Sequence, residues 1–251
     1  MSTRLPVLIL HGFTSSLDCV KALAPRLESQ CVDYAMPWLR GHGTRPEDLV
    51  GVTWRDWLED GRKALLDLTG SSGRCTLVGL SMGGLVALQL AAEHPGRVAG
   101  VATVAGCLEF RSPLVRLLPV LQALFTYWKG QPDYADPERQ LLDTNYRYFP
   151  VATFASLVAY RRVVTDLLPL VQAPLCVIQS RADPVVSPAS ARRILERAGS
   201  EHKEVHWFRR SKHEMLRDLE CDGVLDAIMQ FLARVCSGEL EVARPRAASR
   251  P

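Results

Sequence analysis

The stretch Leu77–Pro95, LVGLSMGGLVALQLAAEHP, joins a short apolar run to a segment of helical spacing through one serine. Ser81 has Gly79 two residues before it and Gly83 two residues after it, which is more than a helix N-cap requires. In a sharp strand-to-helix turn, side chains at those two positions would collide. The G-x-S-x-G pattern therefore predicts a nucleophile elbow that exposes the Ser81 hydroxyl. The alternative interpretation is a glycine-flanked turn without chemistry.

On both sides of this turn, short apolar runs alternate with longer segments of helical spacing. This pattern favours an α/β fold with a mostly parallel sheet covered by helices on both faces. We expect strands at Pro6–Leu10, Cys31–Ala35, Cys75–Gly79, Val98–Val104, Pro174–Gln179 and Lys203–Phe208. We expect helices at Ser16–Ser29, Thr53–Leu68, Met82–Glu93, Ser187–Arg197 and Cys221–Val235.

The segment from Cys107 to Thr165 interrupts the alternation, because it is rich in Leu, Val, Phe and Tyr at helical spacing and nothing in it predicts a strand. We interpret it as an all-helical cap over one end of the sheet. The expected division is a core of residues 1–106 and 166–236, a cap of residues 107–165, and a polar tail, 237–251, that is disordered.

The composition excludes several classes of protein. Of the 251 residues, 47% are hydrophobic and 23% charged, and the net charge of +3 lowers the expectation of nucleic-acid binding. Seven cysteines without a CxxC pair suggest neither a zinc site nor a dithiol motif, and they favour a reducing compartment. The apolar run Leu5–Leu10 is too short for a signal-peptide core, and no segment reaches transmembrane length. We therefore expect a cytoplasmic protein.

A serine hydroxyl needs a base to become nucleophilic, and the base needs an orienting carboxylate. In a parallel sheet these groups follow the carboxyl ends of strands. Asp183 follows one predicted strand and His213 follows the next. The chain order Ser81, Asp183, His213 is the nucleophile–acid–base order typical of this architecture.

Each of these residues also has a structural interpretation. Asp183 before Pro184 is a common turn-starting pair, and His213 has charged neighbours that suit a solvated loop. Their joint position favours a triad. Glu214 and Asp218 are rival acids, but they lie on the histidine's own segment and we expect them to reach it poorly. Three other histidines are predicted to be structural: His94, His202 and His206.

An acyl-transfer site also needs backbone N–H donors where negative charge develops on oxygen. One predicted donor is the amide of Met82, at the positive end of the helix that follows the serine. The other is the amide of Phe13, in the loop after the first strand, which Gly12 allows to bend. We expect His11 to orient this loop without taking part in proton transfer.

Four motifs together resemble the α/β-hydrolase superfamily: GLSMGG from Gly79, HGF from His11, RADPVV from Arg181 and SKH from Ser211. RGHGTRPEDL from Arg40, followed by WRDW from Trp54, is similar to the bacterial carboxylesterase and monoacylglycerol lipase branch. The likeness runs from Leu5 to Val235. It implies an α/β-hydrolase fold with a cap, a serine-esterase mechanism and no cofactor. It also implies structural roles for Gly41, His42 and Gly43, with Trp54 and Trp57 packed beneath their loop.

The predicted function is hydrolysis of carboxylic esters of short-to-medium acyl chains, through an acyl-enzyme on Ser81, with a small-molecule ester as partner. No H-E-x-x-H cluster suggests a metal. Thioester hydrolysis, perhydrolysis and lyase chemistry remain alternatives on the same fold, as does a ligand-binding protein without catalysis. Five cap residues are candidates for an acyl-binding wall or for simple packing: Leu117, Leu118, Leu121, Leu124 and Phe125.

Overall fold

The computed structural model describes residues 4–71, 73–130 and 134–240. Its strands are β1 (Val7–Leu10), β2 (Tyr34–Ala35), β3 (Cys75–Leu80), β4 (Val98–Val104), β5 (Tyr127–Lys129), β6 (Tyr148–Pro150), β7 (Leu175–Ser180) and β8 (Lys203–Phe208). Its α-helices are α1 (Ala24–Ser29), α2 (Trp54–Thr69), α3 (Met82–Glu93), α4 (Leu118–Leu124), α5 (Pro137–Leu141), α6 (Val151–Leu167), α7 (Pro188–Arg197) and α8 (Cys221–Cys236).

The central sheet has the strand order β2–β1–β3–β4–β7–β8 within the described residues, and each neighbouring pair is parallel. Alternate side chains of a strand point to opposite faces. Accordingly, Leu77 of β3 packs into an apolar cluster with α2, α3 and α6, whereas Val78 packs into a second cluster with α1 and α8. Both faces are covered, which explains the continuous apolar runs of the sequence. The predicted fold class is confirmed.

Three predicted elements have the boundaries that the structure shows. Met82–Glu93, Val98–Val104 and Lys203–Phe208 coincide with α3, β4 and β8. The expectation for Cys31–Ala35 is wrong at its start, because Cys31 has a φ of +52° and its N–H bonds back to the Glu28 carbonyl. This turn after α1 delays the strand to Tyr34. In the expected helix Ser16–Ser29, the part before α1 consists mostly of two 3₁₀ turns, Leu17–Cys19 and Lys21–Leu23.

The segment between β4 and β7 contains α4, α5 and α6, but it also contains an antiparallel pair, β5 and β6. The expectation that nothing in Cys107–Thr165 forms a strand is therefore wrong. Each strand has three residues, too few to show an alternating pattern. The rings of Tyr127 and Tyr148 meet edge to face across the pair at 5.5 Å, a favourable cross-strand contact.

Helix α6 connects this segment to the core. Its Leu157, Tyr160 and Val164 are buried in the same apolar cluster as α2 and α3. The division into core and cap stays a prediction. Residues 241–251 of the tail predicted as disordered lie outside the described residues. Among the described helices, none has the length and apolar character needed to cross a membrane.

Candidate active site

The turn between β3 and α3 has the strain that an elbow requires. Ser81 has a φ of +54°, in the left-handed region that side chains rarely adopt. A Cβ on Gly79 would overlap the carbonyl of Gly83, and a Cβ on Gly83 would overlap the carbonyl of Leu10. Glycine at both positions is therefore required for the helix to approach the sheet this closely.

Ser81, His213 and Asp183 form one hydrogen-bonded chain. The Nε2 atom of His213 lies 3.0 Å from the Oγ atom of Ser81, and its Nδ1 atom lies 2.9 Å from Oδ2 of Asp183. The three side chains are buried, since Ser81 and His213 are 7% and 6% exposed and Asp183 is fully covered. With Nδ1–H donating to the carboxylate, Nε2 carries the lone pair that faces the serine hydroxyl.

Asp183 is held in its charged form. Burial alone would raise the pKa of this carboxyl, but the His213 imidazole and two backbone N–H groups outweigh it and hold the pKa below its ordinary value. Oδ1 accepts from the Val185 and Val186 N–H groups at 2.8 and 2.9 Å, and Oδ2 accepts from Nε2 of Gln179 at 3.3 Å. The turn that begins at Asp183 therefore supplies two backbone donors to the Asp183 carboxylate.

Two backbone N–H groups are available near the serine. Met82 is the first residue of α3, and Phe13 follows Gly12 in the loop after β1. A Cβ on Gly12 would lie 3.5 Å from the Cβ of Ser81, so this loop adjoins the nucleophile. No acceptor for the Phe13 or Met82 N–H group occurs among the described residues. The predicted role of these two N–H groups as oxyanion donors stays a prediction.

Two buried neutral histidines hold the Phe13 loop. The Nε2 atom of His11 accepts from the Leu39 N–H at 3.1 Å, so its Nδ1–H donates to the Gly12 carbonyl at 2.9 Å. His42 accepts from the Thr14 N–H at 3.1 Å. Burial lowers the pKa of His11 to about 4 and, together with the nearby His11, lowers the pKa of His42 to about 3. Pinning the Gly12 carbonyl fixes the peptide plane that carries the Phe13 N–H.

The surroundings of the RGHG loop agree in part with the expectation. The indole N–H of Trp57 donates to the Arg40 carbonyl at 3.0 Å, so Trp57 does pack beneath this loop. Trp54 instead stacks on Tyr160 of α6, with ring centroids 4.8 Å apart. From the cap, the Tyr146 hydroxyl accepts from the Thr44 N–H at 2.9 Å. Sequence reasoning missed Tyr146, which no local motif indicates.

The rival acids have other partners. Asp218 accepts the N–H groups of Lys212, Ala135 and Asp136 at 2.7, 2.8 and 3.0 Å. It thereby joins the loop of the catalytic base candidate to the cap segment, a role that sequence reasoning also missed.

Glu214 is fully buried and accepts from Nδ2 of Asn145 at 2.9 Å. Burial raises the pKa of its carboxyl. The Nδ1 atom of His213 pairs with Oδ2 of Asp183 at 2.9 Å.

The five residues that were candidates for an acyl wall or for simple packing differ in burial. Leu118 is 4% exposed, but Leu117, Leu124 and Phe125 are 52%, 69% and 52% exposed and face solvent. Leu121 is partly buried. Other aromatic rings lie next to Phe13. The ring centroids of Phe149 and Phe154 lie 5.3 and 6.0 Å from that of Phe13, and the ring of Phe110 contacts that of Phe154.

Outside the triad, Cys176, Glu204 and His206 offer side-chain atoms that lie within 4.8 Å of one another. They lie on β7 and β8, upstream of the loops that carry Asp183 and His213. The cysteine is 28 residues from the glutamate, so no short motif could have indicated the group.

A family model described as serine aminopeptidase, S33, matches residues 2–220. The thermostable monoacylglycerol lipase of Bacillus sp. (strain H-257) is 26% identical over 234 residues, covering 91% of this chain and 90% of that protein. The carboxylesterase of Bacillus subtilis (strain 168) is 25% identical over 235 residues, covering 91% and 92%.

Solved structures share the fold. One comes from a study of LipS and LipT, two metagenome-derived lipolytic enzymes, and it superposes with a TM-score of 0.86 at 30% identity, covering 93% of this chain and 95% of that one. The monoacylglycerol lipase of Paleococcus ferrophilus superposes with a TM-score of 0.77 at 19% identity, covering 92% and 96%. The second likeness bears on the fold alone.

Proposed function

The chain belongs to the serine aminopeptidase S33 family of α/β-hydrolases, and from this premise we propose that it hydrolyses carboxylic esters through an acyl-enzyme on Ser81. The observation that carries the proposal is the hydrogen-bonded chain from Ser81 Oγ through His213 to Asp183, with bonds of 3.0 and 2.9 Å. A nucleophile, a base and an orienting carboxylate in this geometry are the parts that acyl transfer requires.

The reaction begins when His213 Nε2 takes the Ser81 proton and Oγ attacks the acyl carbon. The negative oxygen of the tetrahedral intermediate accepts from the Phe13 and Met82 N–H groups. His213 then protonates the leaving alcohol, and the acyl-enzyme remains. In the second half, His213 takes a proton from water, whose oxygen attacks the acyl carbon to form a second tetrahedral intermediate. Its collapse breaks the bond to Ser81 Oγ, which regains a proton from His213 as the acid is released. Asp183 stays ionised throughout and stabilises the imidazolium.

The substrate class proposed is esters of short-to-medium acyl chains, including monoacylglycerols, and the associated role is in lipid metabolism. The partly buried rings of Phe13, Phe149 and Phe154 support an apolar binding surface beside the oxyanion loop. Each buried methylene of an acyl chain is worth about 0.8 kcal/mol, so several should raise kcat/KM before the surface is filled. The names of the two Bacillus relatives support the same class.

The proposed division keeps residues 107–165 as a cap over a core of residues 1–106 and 166–236. Hydrogen bonds from Tyr146 and Asn145 to core loops support a cap that stays attached beside the site. A cytoplasmic location is proposed because Cys19, Cys75 and Cys107 are buried free thiols, which suit a reducing compartment.

The test is kcat/KM across nitrophenyl and glyceryl monoesters of increasing acyl length, with a thioester and an aminoacyl anilide as rival substrates. We expect a burst of alcohol release followed by turnover, and a maximum above acetate. A maximum at acetate would exclude the apolar acyl surface. A preference for the anilide would make the chain an aminopeptidase, as the family description suggests, and no turnover of any substrate would favour a ligand-binding protein.

A further inference from the structure

Neighbouring strands β7 and β8 place a thiol, a carboxylate and an imidazole on one face of the sheet. Cys176 is the register partner of Glu204, and His206 is two residues further along β8, so its side chain points to the same face as that of Glu204. We propose that Cys176, Glu204 and His206 bind a divalent transition-metal ion, with Zn²⁺ preferred. This site is separate from the triad and does not depend on the ester chemistry.

The geometry suits such an ion after small side-chain rotations. Zinc bonds to sulfur, nitrogen and oxygen of about 2.0 to 2.3 Å in a tetrahedron place ligand atoms roughly 3.3 to 3.7 Å apart. His206 Nε2 lies 3.3 Å from Oε1 of Glu204, and all three ligand atoms lie within 4.8 Å of one another. A thiolate with an imidazole selects Zn²⁺ over the harder Mg²⁺ and Ca²⁺. On binding, the Cys176 S–H bond breaks, an S–metal bond forms and the proton passes to solvent.

Arg234 defines which carboxylate oxygen is available. Its guanidinium pairs with Oε2 of Glu204, while Oε1 faces His206. Arg234 can therefore keep its bond to the outer oxygen and orient the carboxylate, as partners of metal ligands commonly do. The arrangement also has a simpler interpretation, an ion-pair network of Arg234, Glu204 and His206 that binds nothing.

An ion can reach the site from solvent. Glu204 and Arg234 line a surface cavity of about 150 Å³, whose wall also includes His202 and Phe231. Glu204 and His206 are partly exposed, whereas Cys176 is fully buried. Of the three proposed ligands, Glu204 is the one that lines this cavity, and three protein ligands leave the fourth position of a tetrahedral ion for water.

Metal binding at this place would join the two strands that precede the acid and base loops. β7 ends at Ser180, shortly before Asp183, and β8 ends at Phe208, shortly before His213. Because the folded state holds all three ligands together and the unfolded chain does not, bound metal should raise the thermal midpoint.

The experiment uses the full chain without a histidine tag, treated with a chelator and then titrated with Co²⁺ and Zn²⁺. We expect one equivalent of Co²⁺ to produce a thiolate-to-cobalt charge-transfer band, which an equivalent of Zn²⁺ abolishes. Zn²⁺ should also raise the thermal midpoint. The absence of the band at saturating Co²⁺ would overturn the proposal.

Substitutions of the three proposed ligands test where the ion binds. His206→Gln and Glu204→Gln should weaken binding at least tenfold and remove the thermal shift. Both residues are partly exposed, so the variants should fold. Cys176→Ser should remove the band, and if that buried variant does not fold, His206→Gln still decides.

Two matched controls distinguish this site from adventitious binding. His202→Gln changes an exposed histidine of the same cavity, and Cys31→Ser changes an exposed thiol. Both should bind Zn²⁺ like the parent protein. Binding that survives His206→Gln, or that is lost in Cys31→Ser, would overturn the assignment.

Discussion

The loops after β7 and β8 differ from helix α4, in the predicted cap, in the burial and hydrogen bonding of their side chains. Asp183, His213 and Asp218 are buried, and each is held by at least two hydrogen bonds. Helix α4, in contrast, leaves Leu124 69% exposed. We therefore expect the loops, which polar contacts hold, to tolerate substitution less well than the exposed side of α4. Substitutions in the two regions should differ by orders of magnitude.

The largest effect is expected at Ser81. Ser81→Ala removes the nucleophile, so kcat should fall by roughly a million-fold, as in other triads whose nucleophile is removed. An active-site phosphonate should label the parent protein once, at Ser81, and should not label the variant. Mass spectrometry of the labelled peptide checks the position. Labelling of another serine, or near-normal turnover of the variant, would contradict the assigned nucleophile.

The second-largest effect on kcat is expected at Asp183, the proposed acid. Asp183→Asn keeps the turn but cannot hold the His213 tautomer, so kcat should fall by around four orders of magnitude. The matched control is Glu214→Gln, since Glu214 is a similarly buried carboxyl on the loop of His213 and accepts a hydrogen bond from Asn145. Both variants should be compared by kcat and by circular dichroism. If Glu214→Gln were crippling and Asp183→Asn nearly silent, the acid would be wrongly assigned.

These two residues also show what the sequence could predict. Ser81 was predictable because the strand and helix approach so closely that only glycine fits at positions 79 and 83. Asp183 and His213 were predictable because parallel strands bring their carboxyl ends to one edge. Their catalytic roles stay predictions until the variants are measured.

What the sequence could not predict depends on contacts between distant segments. The partners of Asp218 are backbone N–H groups of residues 135 and 136, which carry no side-chain signature. In the predicted cap, Leu117, Leu118 and Leu124 belong to a stretch whose polar residues, Arg116 and Gln122, are too few to define a polar face. Periodicity therefore cannot say which leucines are buried. Strands β5 and β6 could not be predicted because three residues are too few to show an alternating pattern.

The third prediction concerns Asp218, which bonds both to the loop of His213 and to residues 135 and 136 of the predicted cap. Asp218→Asn retains one carbonyl oxygen and points an NH₂ group toward backbone donors, so it cannot satisfy Lys212, Ala135 and Asp136 together. Losing one charge-assisted bond, worth roughly 1.5 to 3 kcal/mol, should displace the His213 loop and lower kcat/KM by up to about a hundredfold.

The control for this prediction is Asp222→Asn, whose side chain is 90% exposed and pairs only at the surface. Steady-state kinetics and the rate of phosphonate labelling measure the effect on His213 and Ser81 directly. If Asp218→Asn lowered the thermal midpoint but left both rates unchanged, Asp218 would serve stability alone.

The buried side chains of His11 and His42 should make the free energy of unfolding depend on pH. Burial lowers the pKa of His11 to about 4 and of His42 to about 3, below the ordinary value of 6.5. Between pH 6.5 and these values, the unfolded chain binds protons that the folded chain does not. Stability is therefore complete above pH 6.5 and decreases as pH falls, by about 2 kcal/mol for each imidazole at pH 5.

Urea unfolding at pH 7.5, 6 and 5 measures this dependence. His42→Gln removes one titrating group while keeping a donor and an acceptor. It should be less stable than the parent at pH 7.5 but should lose less stability between pH 7.5 and 5. An unchanged slope in this variant would mean that His42 does not carry the dependence.

The smallest effect is expected on the outer face of α4, and it sharpens the comparison because the same helix offers a matched pair. Leu118 is 4% exposed and Leu124 is 69% exposed. Leu118→Ala should cost about 2 to 5 kcal/mol by leaving a cavity, whereas Leu124→Ala should change the free energy of unfolding by less than about 0.5 kcal/mol. Because Leu124 faces solvent, its replacement should also leave the dependence of kcat/KM on acyl length unchanged. A shift of that dependence in Leu124→Ala would show that α4 turns toward the acyl chain during the reaction, and the cap would then belong to the catalytic region.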